Sequence, residues 1–171
     1  NVWGDQKLQY FTPYEDLARK SRRRPGWFME EEHIFKKHAE FMTDLEAAGG
    51  RGGIGSHGQL QGLGYHWELW SVGSGGLSPH AALRYATILG AASLGLDGDL
   101  GSIEVGKIAD LVVLDANPLE DLRNTNTVSK VLKDGKVYDT QALDQEWPQP
   151  KKAPTYYWQT DAPENLAGIK N

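Results

Sequence analysis

The chain contains no cysteine, which excludes disulfides, zinc–thiolate centres and thiol nucleophiles from its chemistry. It leaves the compartment open. No apolar run approaches the roughly 20 residues needed to span a bilayer. No cleavable leader is visible either, and the first residue is Asn1 rather than methionine, as in a piece of a longer reading frame. Charge of one sign is also missing: 18 Lys and Arg stand against 23 Asp and Glu, for a net charge of -5. So mild an acidity gives no reason to expect nucleic acid or an anionic membrane as partner. The one basic run, RKSRRR at residues 19–24, has no interleaved aromatics and reads as a solvated helix end. Finally, the five histidines include no His-x-His pair. What remains is 171 residues, enough for one ordinary domain, or one with a satellite.

The clearest positive signal is helical. Ile34, Phe35, His38, Phe41, Met42 and Leu45 recur at spacings of one, three and four, which predicts a helix over 29–48 with those residues on its apolar face. Glu30, Glu31 and Glu32 fall in its first turn, where the helix dipole favours negative charge. Gly49 and Gly50 end it. His33 and His38 are five apart and cannot chelate one ion from one face; they read as structural or solvated. Upstream, Thr12-Pro13 opens a second, shorter helix.

The next segment, GGIGSHGQLQGLGYHWELW (residues 52–70), gathers two histidines, two glutamines and a glutamate among glycines. Its glycines make 51–56 a poor strand by propensity. Its place argues otherwise: helix, short extended piece, polar loop and helix is the order of a unit in a parallel sheet. Ligand groups in such units collect in the loop after the strand, and glycine suits a place where another backbone comes close. Ser78 as N-cap and Pro79 at the first helical position open a further helix. Leu83, Ala86, Ala91 and Leu94 are its expected core contacts, Gly90 its break and His80 an exposed first-turn residue.

From Gly101 the texture turns to β. KIADLVVLD reads as a short buried strand ended by Asn117-Pro118. VSKVLKDGKVYD is a hairpin around Asp134-Gly135, the pair that type I′ turns prefer. The tail from Gln141 carries Pro148, Pro150, Pro154 and Pro163 with Trp147, Tyr156, Tyr157 and Trp158. It has no period, and reads either as an extended arm stapled by its aromatics or as partly disordered.

The string GSIE-x-GK-x-ADLVVLD-x-NPL, from Gly101 to Leu119, with the preceding LSPHAALRYATILGAASLGL and the following VSKVLKDGKVYD, resembles the C-terminal end of the metal-dependent amidohydrolase superfamily. GSHGQLQGLGYHWELW resembles a narrower branch, whose amidohydrolase domains are joined to TolB-like propellers. The likeness runs over about residues 16–138. It implies an α/β fold: the C-terminal portion of a (β/α)8 barrel plus the C-terminal strands of a small β-sandwich. On that template residues 1–99 are the last, incomplete barrel units, with 30–48 as the seventh helix and 51–56 as the eighth strand. Residues 100–140 are the sandwich strands, and 141–171 an aromatic, proline-rich tail.

The resemblance also implies a chemistry. One or two divalent ions, usually zinc, lower the pKa of a bound water, and the hydroxide attacks an amide-type carbonyl. The family's ligands are a His-x-His pair after the first strand, histidines after the fifth and sixth, often a bridging lysine, and an aspartate after the eighth that also shuttles the proton. Here that last position is His57, which can act as ligand or base but brings no negative charge. His57 is therefore the implied catalytic residue, and Ser56, Gln59, Gln61 and His66 the implied substrate-binding residues. For His66, and more so for Glu68, the competing reading is local capping or pairing at a helix start. A barrel takes about 250 residues, so no metal site is expected within this chain alone. The expected whole is a zinc-dependent hydrolase of C–N bonds acting on a small-molecule or peptide-like substrate; the alternative is a non-catalytic binding or assembly module on the same scaffold. A barrel cut before its last units exposes an edge of its last strand and the apolar faces of its helices, Ile34, Phe41 and Leu45 among them, so a homo-oligomer is expected.

Overall fold

The computed structural model describes residues 2–21, 29–57 and 60–159. Gln59 and the arginines 22–24 of the basic run lie outside them. Helices come first and strands last. The helices are α1 (Gln6–Phe11), α2 (Tyr14–Ser21), α3 (Phe35–Ala47), α4 (Leu63–Gly73), α5 (Pro79–Tyr85) and α6 (Ile88–Ser93). The strands are β1 (Leu111–Leu114), β2 (Val128–Lys133), β3 (Lys136–Asp139) and β4 (Gln145–Trp147), antiparallel in the order β1-β2-β3-β4.

Local signals explain half of the six helix starts among the described residues. Asp5 caps α1 by accepting the Leu8 amide at 2.8 Å, and Ser78 caps α5 by accepting the Ala81 amide at 3.2 Å, with Pro79 following. Each such cap contributes about 1 kcal/mol. Pro13 precedes α2, at the predicted opening. α3 is shorter than its periodicity suggests. Glu30–Glu32 form a separate 3₁₀ turn, so these acids do not sit in the first turn of α3.

The apolar face of α3 also differs from the expected one. Ile34 (64% exposed), Phe35, His38 and Phe41 face outward, while Ala39 is buried. Two stripes compete on this helix, and α4 packs on the one with the small residue. A Cβ on Gly75, just past α4, would lie 2.1 Å from the Ala39 carbonyl carbon, so the two backbones touch. The Thr43 hydroxyl seals the contact by donating to the Gly75 carbonyl at 3.0 Å. Van der Waals contact at this distance requires Ala on one side and Gly on the other, and larger Ile34 and Phe41 cannot supply it.

The main core is Leu69, Leu77, Ala81, Ala82 and Tyr85, with Met42, Ile54, Val72, Leu89 and Leu122 against it. Leu8, Leu17 and Leu60 make a second cluster under α1 and α2. Fully burying Leu69 or Leu17 contributes about 1.5–3 kcal/mol each. Leu94, an expected core residue, is 74% exposed, beyond the short α6. The break between α5 and α6 falls at Ala86 and Thr87 rather than at Gly90.

Residues 51–56 form no strand. Glycine-rich backbone gains little from extension, and no other strand among the described residues lies beside it to complete a ladder. The sheet forms from the later segments instead. Asp134 and Gly135 have φ of +50° and +70°, the positive pair that a two-residue hairpin loop requires, and Lys133 pairs with Lys136 across it. β1, expected to be buried, leaves Val112 and Val113 on opposite sides largely exposed. Among the described residues only β2 borders it, and no second layer covers it. As far as Gln159 the tail is stapled down: β4 pairs with β3, and the Trp158 indole and Gln159 amide both donate to the Tyr10 carbonyl at 3.1 Å; residues 160–171, Pro163 among them, lie outside the described residues.

Replacing Gly75 with alanine is expected to cost about 1–3 kcal/mol, because backbone must give way to the new methyl. Gly98→Ala, whose methyl would meet nothing within 4 Å, is expected to stay within about 0.5 kcal/mol. Urea melts of both variants check the contrast, and equal midpoints would contradict it.

Candidate functional site

Chemistry-bearing side chains concentrate where residues 52–57 run over the helical core toward α4. The path is set by glycine. A Cβ on Gly52 would fall 2.5 Å from the Tyr85 ring and 2.5 Å from the Met42 methyl, so the chain can lie on these side chains only because the Cβ is absent. Gly53 passes close to the Gly90 backbone, its notional Cβ 3.8 Å from the Gly90 Cα. Ile54 then packs into the core. This is the close backbone approach that glycine here suggests, made to helices rather than to a neighbouring strand.

Past Ile54 the segment has polar anchorage. The Glu68 carboxylate, on α4, accepts the Gly55 amide at 3.0 Å. Ser56 is half-buried, and its Cβ sits 3.9 Å from the notional Cβ of Gly64 in the first turn of α4. His57 follows, exposed, at φ +52°. Histidine is one of the few residues that populate this left-handed region with any frequency. Gln61 is exposed just before α4.

His66 belongs to a different contact. Its Nδ1 lies 3.1 Å from the Thr125 hydroxyl, in the 3₁₀ turn Leu122–Asn126 that precedes β2. The Trp70 indole donates to the same hydroxyl at 3.0 Å and to the Leu122 carbonyl at 2.9 Å. The Arg123 guanidinium lies over the Trp70 ring, 5.1 Å from its centroid, a cation–π contact. The Thr125 hydroxyl has one proton. When that proton goes to the Leu122 carbonyl 2.9 Å away, the oxygen accepts from both Trp70 and a protonated His66 Nδ1, and Nε2 carries the lone pair. Burial pushes the His66 imidazole below its ordinary pKa. Beside it the Tyr65 hydroxyl donates to the Ala86 carbonyl at 3.0 Å, and burial, helped by the Glu68 charge, pushes that phenol up.

Of the sequence-predicted site residues, Ser56 and His57 thus adjoin at the head of one anchored segment, with Gln61 on the way into α4. His66 is drawn into the seam between α4 and the 122–126 turn. No hydrogen bond or ring contact between described residues joins it to Ser56, His57 or Gln61. Glu68, which sequence reasoning leaves as a cap or pairing residue, pairs with the Gly55 amide; Thr125 and Trp70, which meet at the seam, carry no motif. A glutamate bonded to an amide thirteen residues back leaves no periodic trace. Among the described residues, no three His, Asp or Glu side chains converge as a metal site would require.

A model of the amidohydrolase family matches residues 31–138. Over 74 residues the chain is 35% identical to the 5-methylthioadenosine/S-adenosylhomocysteine deaminase of Teredinibacter turnerae, covering 43% of this chain and 17% of that protein. It is 42% identical over 74 residues to guanine deaminase of Escherichia coli, covering 42% of this chain and 17% of the relative. Among solved structures it is similar to a Xaa-Pro dipeptidase with bound methionine in the active site. The TM-score is 0.53 at 30% identity, over 59% of this chain and 25% of the dipeptidase. The chain therefore spans a quarter or less of the length of these proteins.

The depressed His66 pKa makes stability depend on pH. The unfolded chain, with imidazole near about 6.5, binds this proton more readily than the folded one. The neutral-histidine contribution is thus present above the unfolded pKa and lost as pH falls below it toward the folded value. Melting temperature is expected to drop from pH 7.5 to 5 by more in the parent chain than in His66→Gln. Parallel slopes would remove His66 from the seam's energetics.

Proposed function

Because the chain belongs to the amidohydrolase family, we propose that it is the C-terminal part of a metal-dependent hydrolase of C–N bonds. On this reading residues 1–99 are the last barrel units, 100–140 strands of the small sandwich and 141–171 an appended tail. On the same reading the chain belongs to the branch whose amidohydrolase domains are joined to TolB-like propellers, which residues 52–70 resemble. The supporting observation is a coincidence of two independent facts. The family match includes the 52–57 segment, and that segment is seated by Gly52, Gly53 and Ile54 and ends in an exposed, left-handed His57.

The described residues do not by themselves make a metal site, and on this reading the ion and most of its ligands belong to parts of the protein outside this chain. Bound there, a divalent ion, zinc in the usual case, would supply an activated water. This chain's share is the proton. His57, exposed at the segment's head, takes a proton from the attacking water and returns it to the leaving nitrogen. An imidazole does both near neutral pH. Ser56, Gln59 and Gln61 are the donors and acceptors offered to a polar small-molecule or peptide-like substrate, whereas the Nδ1 of His66, the fourth residue of that set, is engaged by Thr125.

In the complete protein His57→Ala is expected to lower kcat by about 10² to 10⁴, with little change in KM. His57→Asp is expected to recover part of the rate, because it restores a carboxylate that can carry the proton. Unchanged turnover in the alanine variant would remove the catalytic assignment of His57, and a complete parent protein without any turnover would favour a non-catalytic binding module.

The exposed face of α3, with Ile34 and Phe41 each more than 60% exposed, is apolar surface of the kind that self-associates. The chain on its own is expected to form a dimer or higher assembly. A single monomeric species in light scattering at micromolar concentration would contradict that.

A further inference from the structure

Along the 52–57 segment the manner of attachment changes. Gly52 is fixed by contact with the Tyr85 ring and the Met42 methyl, Gly53 is exposed where it passes the Gly90 backbone, and Ile54, partly buried, packs against the main core. At Gly55 that ends: a Cβ there would meet nothing within 4 Å. No ladder holds the amide either, because 51–56 forms no strand. What holds Gly55 is one charge-assisted hydrogen bond, from its N–H to the Glu68 carboxylate at 3.0 Å. Glu68 is well placed to anchor something. It lies mid-way along α4, whose neighbouring residue Leu69 is 2% exposed and whose Trp70 is tied to the 122–126 turn. The anchoring side chain therefore stands on a helix fixed on both sides. The two residues after Gly55 are Ser56 and His57.

We propose that Glu68 is a positioning residue: by holding the Gly55 amide it sets where Ser56 and His57 stand. The role of His57 rests on the function proposed above; the holding of Gly55 does not. Hydrogen bonds to an ionised acceptor are about twice as strong as neutral ones, and at a point without packing that strength decides whether the segment's head has one position or several. Glycine at 55 fits the arrangement, since it leaves the amide open to a side chain arriving from α4.

The test uses the 171-residue chain by NMR, with Glu68→Ala and Glu68→Gln. In Glu68→Ala, amide exchange at Gly55 is expected to accelerate about tenfold or more, and the heteronuclear NOE at Ser56 and His57 to fall, while Ile54 is unchanged. Glu68→Gln keeps a carbonyl acceptor but loses the charge. It should shift the Gly55 amide proton upfield and restore most of the order at His57. Should the alanine variant not fold, the glutamine variant still decides, because an unmoved Gly55 resonance would overturn the proposal. A Gly55 response without any at Ser56 and His57 would overturn it too, leaving Glu68 a local cap. In the complete protein Glu68→Ala should lower kcat about tenfold at unchanged KM, with partial rescue by glutamine. If His57→Ala leaves turnover intact, the catalytic reading fails while the Gly55 result stands.

Discussion

Tyr85 is the residue on which the helical part converges. Its ring is 1% exposed, and it closes the main core while offering the surface on which Gly52 rests. Any side chain at 52 would have to displace an aromatic ring held by Leu69, Leu77, Ala81 and Ala82, and interiors packed to crystal-like density do not yield such space. The course of the 52–57 segment is therefore decided by a buried ring in α5 and an absent Cβ above it. Everything further along, including the position of His57, starts from that seat.

The second constraint is the seam between helices and sheet. Trp70, His66, Thr125 and Leu122 join α4 to the turn before β2 through shared hydrogen bonds around one hydroxyl, and Arg123 adds a cation–π contact to the Trp70 ring. Such a network is strong when every member is satisfied and weak when one is lost. It also couples α4, which carries Glu68, to the strands. A disturbance at Thr125 thereby reaches the helix that anchors the candidate site.

How much of this was legible in the sequence follows from the range of each interaction. The caps at Ser78 and the hairpin at Asp134-Gly135 are encoded by neighbours, and the structure has both at those residues. The family wording from Gly101 to Leu119 stands inside the matched region. Signals that depend on a distant partner were misread. The periodicity of α3 fits two faces, and only the Ala39–Gly75 contact, across α4, selects the buried one. The family template implies a strand at 51–56 and the apolar run of β1 implies a buried one, but a strand needs ladder neighbours and a covering layer that its own residues do not specify. The partner of Glu68 was not legible, because it is a backbone amide, which any residue but proline provides.

The C-terminal arm has a kinetic meaning. Trp158 and Gln159 bond to a carbonyl 148 and 149 residues earlier, so that contact closes nearly the whole described chain into a ring. Closing such a loop costs about 2 kcal/mol more in chain entropy than closing one a tenth as long. Two hydrogen bonds and the packing of Tyr156 against Phe11 cannot offset that in an unfolded chain. They become favourable once the intervening helices and strands have brought the ends together. The arm is thus among the last parts of the molecule to dock and among the first to release, a clasp that closes only on a finished fold.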